Sequence, residues 1–157
     1  MSELLEKARS YEAKKIAATD KESKPLFHIS APAGWINDPN GFSVYNGKIH
    51  LFYQYYPYLR EWGPMHWGHS TTSDMIKWEQ LPCVLAPDEE YDKKGCFSGS
   101  AIEADGKHVL VYTGVTRIKL PDGSEQERQN QCIAFGDGLN YVKHENLSLI
   151  HISEPTR

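Results

Sequence analysis

The sequence lacks several features that would assign it to a large class of proteins. No apolar run approaches the roughly 20 residues that span a bilayer, and residues 1–24 mix acids and bases without the apolar segment of a secretory signal. Its basic residues form no stripe of the kind that binds phosphate backbones. We therefore expect a cytoplasmic protein whose partners include neither a membrane nor a nucleic acid.

Cysteine is scarce, and its positions indicate no disulfide or metal knuckle. The three residues, Cys83, Cys96 and Cys132, are odd in number and far apart, without the paired spacing of metal ligands. We expect them to be reduced, small and buried side chains.

Histidine is more frequent, but no pattern of a metal site or a cofactor site is present. Four histidines, His28, His50, His66 and His69, show neither the HExxH arrangement nor another clean ligand set. The glycines form neither a P-loop nor a dinucleotide fingerprint, and no serine stands in a nucleophile elbow. We expect no metal and no cofactor, and we interpret these histidines as hydrogen-bonding groups of the fold.

The composition that remains is that of a globular protein. The 157 residues are 39% hydrophobic and 24% charged, with a net charge of −4. This length suits one ordinary domain, or a piece of a larger protein. Residues 2–19 carry Leu4, Leu5, Ala8 and Tyr11 at helical spacing and predict a short amphipathic helix that packs as an appendage. Ser23 and Pro25 disfavour a continuing helix and end this extension, which we place at residues 1–24.

After Phe27 the pattern is that of β-strands arranged as a repeat. Asn46-Gly47 and Asp105-Gly106 each separate two runs of aromatic and β-branched residues, which is the strongest short signal of a hairpin. The second hairpin follows the first after about 59 residues, and an outer Asp-x-x-x-aromatic pattern, Asp74 to Trp78 and Asp137 to Tyr141, also recurs. Four antiparallel strands per repeat predict blades of a β-propeller, although a sandwich of two related halves would also give this period.

The segment "GWINDPNG" contains the candidate working carboxylate, Asp38. Judged by local chemistry alone, Asn, Asp, Pro and Gly are turn formers, and the segment predicts a tight turn that opens the first hairpin. Two observations favour more than a turn. Trp35 and Trp62 flank the region beside amide side chains, as a sugar site requires. "FSGS" of the second repeat, at the equivalent position, offers donors that would converge with Asp38 on one funnel.

Five motifs in order carry a resemblance to a known family. "HISAPAGWINDPNGF", "HLFYQYYP", "WGPMHWGH", "CFSGSA" and "VLVYTG" resemble the N-terminal part of the β-fructosidases of glycoside hydrolase family 32, whose bacterial members include sucrose-6-phosphate hydrolases and invertases. The resemblance implies an all-β fold, a five-bladed β-propeller followed by a β-sandwich. About the first two blades would be present here, as a partial domain at 25–146 preceded by the helix.

The resemblance also implies a mechanism and a set of residues. The family hydrolyses β-fructofuranosides such as sucrose or sucrose 6-phosphate with retention, through a covalent intermediate on one carboxylate and proton transfer by a second carboxyl. Asp38 matches the nucleophile. The fructosyl-binding positions are matched by Trp35, Asn37, Gln54, Trp62, Phe97 and Ser98.

Two family motifs are missing from these residues. Neither the Arg-Asp-Pro motif, which stabilises the transition state, nor the Glu-Cys motif, which supplies the acid/base, occurs in the chain. Residues 147–157, "LSLIHISEPTR", fit neither the family nor the repeat, and we interpret them as a non-native tail on a truncated reading frame. We therefore expect the 157 residues alone to be inactive.

Three functions remain open at this point. The parent protein is a β-fructosidase of the sucrose-6-phosphate hydrolase type, a non-catalytic sugar-binding β module, or a fructosyltransferase. In each case the partner is a small sugar such as sucrose, sucrose 6-phosphate or a short fructan.

Overall fold

The computed structural model of the chain describes residues 1–20, 22, 24–25 and 27–144. Within them, one helix precedes eight strands: α1 (Glu3–Ala18), β1 (Trp35–Tyr45), β2 (Lys48–Tyr56), β3 (His66–Thr72), β4 (Glu79–Leu85), β5 (Gly95–Ala104), β6 (Lys107–Lys119), β7 (Glu125–Gly136) and β8 (Tyr141–Lys143). The proposed tail at 147–157 lies outside the described residues. No helix among the described residues has the length and apolar character needed to cross a bilayer.

The helix confirms the prediction for residues 2–19. Ser2 caps its N-terminus, because the Ser2 Oγ accepts a hydrogen bond from the Leu5 N–H at 3.2 Å. Leu5 and Ala8 are buried against the first sheet. Arg9 reaches further, since its Nε donates to the Cys83 carbonyl at 2.7 Å and its Nη1 to the Asn140 Oδ1 at 2.9 Å. The helix therefore joins both sheets.

The two predicted hairpins are present, and their turn residues explain them. Asn46 and Gly47 have φ values of 48° and 72°, and Asp105 and Gly106 have 51° and 72°. Positive φ at both central positions is the geometry of a type I′ turn, which matches the twist of the flanking strands. The second repeat thus reproduces the first.

Each repeat forms one antiparallel sheet of four strands, in the orders β1-β2-β3-β4 and β5-β6-β7-β8. The recurring aspartate of the outer turn has the same role in both sheets. The Asp74 Oδ1 accepts from the Lys77 N–H at 2.8 Å, and the Asp137 Oδ1 accepts from the Asn140 N–H at 2.7 Å. These Asx turns lead the chain into the fourth strand of each sheet.

The main core lies between the two sheets. It combines residues of the first sheet with residues of the second: Phe52, Trp67, Val84, Leu85, Cys96, Leu110, Tyr112, Cys132, Ala134 and Tyr141. The first strands of the two sheets, β1 and β5, lie next to each other. All three cysteines are free and buried, as the sequence predicts.

Candidate active site

Asp38 lies in a bulge inside β1 and not in a tight turn, which corrects the local prediction from the sequence. Ile36 pairs with Tyr55 and Pro39 with Tyr53, so β1 contains one residue more than β2 across this interval. Pro39 is tolerated because β1 is an edge strand of its sheet and is bulged at this point. A bulge redirects side chains, and the carboxylate of Asp38 is exposed.

A second irregularity follows at Gly41 and bends the strand again. Asn40 pairs with Phe52, but the next pair is Ser43 with His50. Gly41 has a φ of 51°, and a Cβ there would lie 2.8 Å from the Phe52 Cδ2. The glycine is therefore required both by the backbone conformation and by the close packing.

The first strand of the second sheet has the equivalent bulge. Phe97 pairs with Thr113 and Gly99 with Tyr112, which leaves Ser98 as the extra residue of β5. The Ser98 Oγ donates a hydrogen bond to the Asp38 Oδ2 at 3.4 Å. The two segments that occupy equivalent positions in the repeat thus converge, as the repeat predicts.

Aromatic side chains occur in both strands that meet here, Trp35 in β1 and Phe97 in β5, and a third, Trp62, lies in the loop after β2. The Trp35 Nε1 donates to the Asn37 Oδ1 at 2.8 Å, which fixes the amide next to Asp38 in the chain. Trp62 is 54% exposed, and its ring meets the edge of Phe97 with centroids 6.1 Å apart at 89°. An exposed indole beside fixed amide and hydroxyl groups is suited to the face of a sugar ring.

Gln54 lies beneath this surface, where it joins the two sheets. It is only 3% exposed, and its Nε2 donates to the Cys96 carbonyl at 3.0 Å. Trp67 acts in the same way, since its Nε1 donates to the Phe97 carbonyl at 3.1 Å. The sequence places Trp67 among the aromatic residues near Asp38 but does not predict that it joins the two sheets. Its one available signal was its place in "HWGH" beside the strand that carries Gln54.

A buried ionic cluster of Lys143, Asp88 and Asp92 lies next to the start of β5. The Lys143 Nζ donates to the Asp92 Oδ2 at 2.5 Å, to the Ala86 carbonyl at 2.6 Å and to the Asp88 Oδ1. Burial lowers the pKa of Lys143, but the neighbouring Cys96, Asp92 and Asp88 outweigh it and raise the pKa above its usual value. The sequence contains no signal for this pairing, because its members are about 50 residues apart.

Three of the four singled-out histidines, His50, His66 and His69, make hydrogen bonds within the fold, as predicted. His50 and His69 share a hydrogen bond of 2.9 Å between Nδ1 and Nε2, and the His66 ring bonds the Pro64 carbonyl at 2.9 Å. Burial lowers the pKa of His66 to about 4 and that of His69 well below its usual value, so both rings are neutral at pH 7. Among the described residues, no group of three or more possible ligands could hold a metal ion.

Comparison with known proteins identifies a family for most of the chain. The family model "Glycosyl hydrolases family 32 N-terminal domain" matches residues 28–157. A sucrose-6-phosphate hydrolase from Escherichia coli is 48% identical over 120 residues, which are 76% of this chain and 25% of that protein. A levanase from Bacillus subtilis is 48% identical over 145 residues, 90% of this chain and 21% of that protein.

Solved structures match the fold as well as the sequence. A family 32 β-fructofuranosidase from Bombyx mori is 44% identical with a TM-score of 0.78, and the match covers 94% of this chain and 31% of that one. A mutant of the same enzyme has been solved in complex with sucrose. The two sheets are therefore blades of a β-propeller, and the alternative of a sandwich is wrong. The chain spans about a quarter of the length of the curated relatives that it matches.

Proposed function

Because this chain belongs to glycosyl hydrolase family 32, we propose that the whole protein hydrolyses the β-fructofuranoside bond of sucrose or sucrose 6-phosphate. The single observation that carries the proposal is the pair of equivalent bulges, which brings Asp38 of β1 beside Ser98 of β5. The match to a sucrose-6-phosphate hydrolase supports a phosphorylated substrate, and we propose a cytoplasmic location for the protein.

In this proposal Asp38 is the nucleophile. Its carboxylate attacks the anomeric carbon of the fructosyl unit, and the bond to the leaving oxygen breaks as the covalent ester forms. The other positions are proposed to hold the fructosyl unit: the amide of Asn37 and the hydroxyl of Ser98 by hydrogen bonds, and Trp35, Trp62 and Phe97 as walls. Gln54 is proposed to act with them indirectly, because its hydrogen bond to the Cys96 carbonyl holds the start of β5, which carries Phe97 and Ser98.

A retaining glycosidase needs a second carboxyl about 5 to 5.5 Å from the first. The residues that meet at this site in the described chain include one carboxylate, Asp38. We propose that the rest of the protein supplies the acid/base and the transition-state aspartate, and that residues 25–146 belong to a partial propeller domain preceded by a helical extension at 1–24. The inactivity of the 157 residues alone stays a prediction.

The test uses the whole enzyme encoded by the intact gene. Asp38→Asn removes the nucleophilic charge at constant size, so kcat for sucrose should fall on the order of 10⁴-fold or more. Asp105→Asn changes an exposed aspartate in the hairpin turn between β5 and β6, at the far end of β5 from Ser98, and should leave kcat unchanged, because Asn also adopts the positive φ of that position. An acid-quenched reaction should carry a fructosyl adduct on the peptide that contains Asp38, detected by mass spectrometry.

The outcomes separate the three functions. Release of free glucose and fructose in equal amounts indicates hydrolysis, whereas an excess of glucose over fructose with longer fructans indicates a fructosyltransferase. Sucrose binding without turnover in the whole protein would show a binding module. An Asp38→Asn enzyme of normal kcat would contradict the assignment of the nucleophile.

A further inference from the structure

A groove of about 370 Å³ lies beside the candidate active site, on the side of the helix. Its walls come from the C-terminal half of α1, from the segment that precedes β1 and from the loop that follows β2. Three of its lining residues are basic, Lys15, Lys24 and Arg60, and none of the described residues that line it is acidic. The volume is in the range of pockets that hold small molecules, about 300–1,000 Å³.

The wall between the helix and the loop is fixed by a tyrosine pair. The Tyr11 hydroxyl donates to the Tyr58 carbonyl at 3.2 Å, and the two rings meet edge to face with centroids 5.2 Å apart. The Lys15 Nζ lies 5.4 Å from the centroid of the Tyr11 ring. These contacts hold the backbone of the loop, and with it Arg60, against the helix.

The end of α1 also borders the groove, and its negative dipole would oppose an anion. Thr19 offsets part of this effect because it satisfies two of the last carbonyls. Its N–H donates to the Ile16 carbonyl at 3.2 Å and its Oγ1 to the Lys15 carbonyl at 2.8 Å. The balance of charge in the groove remains positive.

Within the described residues, the basic side chains of the groove form no ion pairs, whereas several other cations of the protein do. In the described part of the chain, the ion pairs engage Lys48, Lys93, Lys94, Arg117 and Lys143. Lys15, Lys24 and Arg60 take part in no ion pair there. Three cations that line one groove without a carboxylate favour a ligand that brings its own negative charge.

The groove is continuous in the chain with the candidate active site. Gly34 lines it and directly precedes Trp35, while Arg60 lies two residues before the exposed Trp62. The Ser30 hydroxyl adds a donor and an acceptor that suit a polyol, and the Thr19 hydroxyl, whose proton is donated to the Lys15 carbonyl, adds an acceptor. A ligand with an anionic end and a hydroxylated body fits this combination.

We propose that this basic groove binds the phosphate group of a phosphorylated sugar, with Arg60 and Lys15 as the main phosphate ligands. The inference rests on the proposed function only for the sugar part of the ligand, since the charge of the groove stands independently. Guanidinium and ammonium groups bind phosphate oxygens through charge-assisted hydrogen bonds, and the neighbouring hydroxyls contact the hexose.

The experiment measures binding of glucose 6-phosphate, glucose and inorganic phosphate to the 157-residue chain by calorimetry and amide chemical shifts. Glucose 6-phosphate should bind most tightly and shift the amides of residues 58–60. Lys15→Gln and Arg60→Gln should each weaken that binding about three- to tenfold, as the loss of one charged hydrogen bond at a partly exposed site requires. Arg60→Lys keeps the charge and should retain most of the affinity.

Lys119→Gln, an exposed lysine of β6 that lines no part of the groove, is the matched control and should bind as the parent does. Circular dichroism of each variant shows whether it is folded, and loss of binding as salt rises from about 0.02 to 0.5 M tests the charge without any substitution. Equal affinities for glucose and glucose 6-phosphate, or no effect of either glutamine variant, would overturn the proposal. Equal affinities for inorganic phosphate and glucose 6-phosphate would overturn its sugar part.

A failure here is distinguishable from a failure of the proposed function. The function is tested by turnover in the whole enzyme with Asp38→Asn, which does not touch the groove. If turnover depends on Asp38 but the 157-residue chain does not bind glucose 6-phosphate, only the proposal for the basic groove is overturned.

Discussion

Glu12 brings a carboxyl group into the contact between α1 and the first sheet. The residue is 3% exposed, and its Oε2 accepts a hydrogen bond from the Cys83 N–H at 3.0 Å. Its Oε1 and the hydroxyl of the neighbouring Tyr55 both lack a partner of normal hydrogen-bond geometry within the described residues. Burial raises the pKa of Glu12 to about 7, against the opposing effects of Cys83, Tyr55 and Arg9.

This shift predicts a loss of stability as the pH rises. The ordinary pKa is 4.5, so the folded chain holds the proton more tightly than the unfolded chain does. The stabilisation is complete below the unfolded pKa and is lost as the pH rises through about 7. At 1.36 kcal/mol per pKa unit, the cost of the ionised carboxyl is about 3 kcal/mol of unfolding free energy at pH 8.

Glu12→Gln tests the reasoning, because an amide can accept the Cys83 hydrogen bond and stays neutral at every pH. Urea unfolding at pH 5 and pH 8 should show the stability of the variant relative to the parent increasing by about 2.5 kcal/mol between the two values. The comparison with the variant is essential, since the buried histidines with lowered pKa values make both proteins less stable in acid.

Glu6→Gln, an exposed carboxylate of the same helix, serves as the control and should change the unfolding free energy by less than about 0.5 kcal/mol at either pH. A difference between Glu12→Gln and the parent that stays constant from pH 5 to pH 8 would refute the reasoning. It would mean that the carboxyl of Glu12 is not buried against the sheet.

Two further predictions concern buried groups that join the blades. Lys143→Met leaves the carboxylate of Asp92, which is fully buried, without its cation, and it should lower the unfolding free energy by about 3–5 kcal/mol in urea. Adding Asp92→Asn should restore part of that loss, and a single variant within about 1 kcal/mol of the parent would contradict the pairing. The three cysteines should be nearly unreactive towards Ellman's reagent in native buffer and react fully in denaturant, because they are buried and burial raises the pKa of Cys132 to about 11. Rapid native labelling would show that the blades open.

The hairpins and the blade repeat could be predicted from the sequence because their causes are local. Asn46-Gly47 and Asp105-Gly106 need positive φ, and few other residues adopt it at low cost. The outer aspartates at 74 and 137 are equally local, since each accepts hydrogen bonds from N–H groups within the same turn. Periodicity then made the second copy visible without any knowledge of contacts.

The conformation at Asp38 could not be predicted in the same way. The residues of "NDPNG" are all turn formers, and local chemistry favours a turn. Pairing with β2 overrides this preference. β1 remains paired with β2 from Trp35 to Tyr45, and the two bulges interrupt the ladder only locally. A register shift depends on the partner strand, so it cannot be predicted from the residues around Asp38 alone.

By itself, then, the sequence determined the helix, the hairpins and the repeat, since each follows from residue types at short spacing, and the resemblance of its motifs to a family made Asp38 the candidate nucleophile. The tertiary structure alone decided which groups meet: Ser98 at Asp38, Gln54 behind Phe97, and the unpaired cations of the basic groove. The physical reason is that hydrogen bonds, burial and charge act through space. Residues 60 positions apart in the chain become neighbours only when two blades pack.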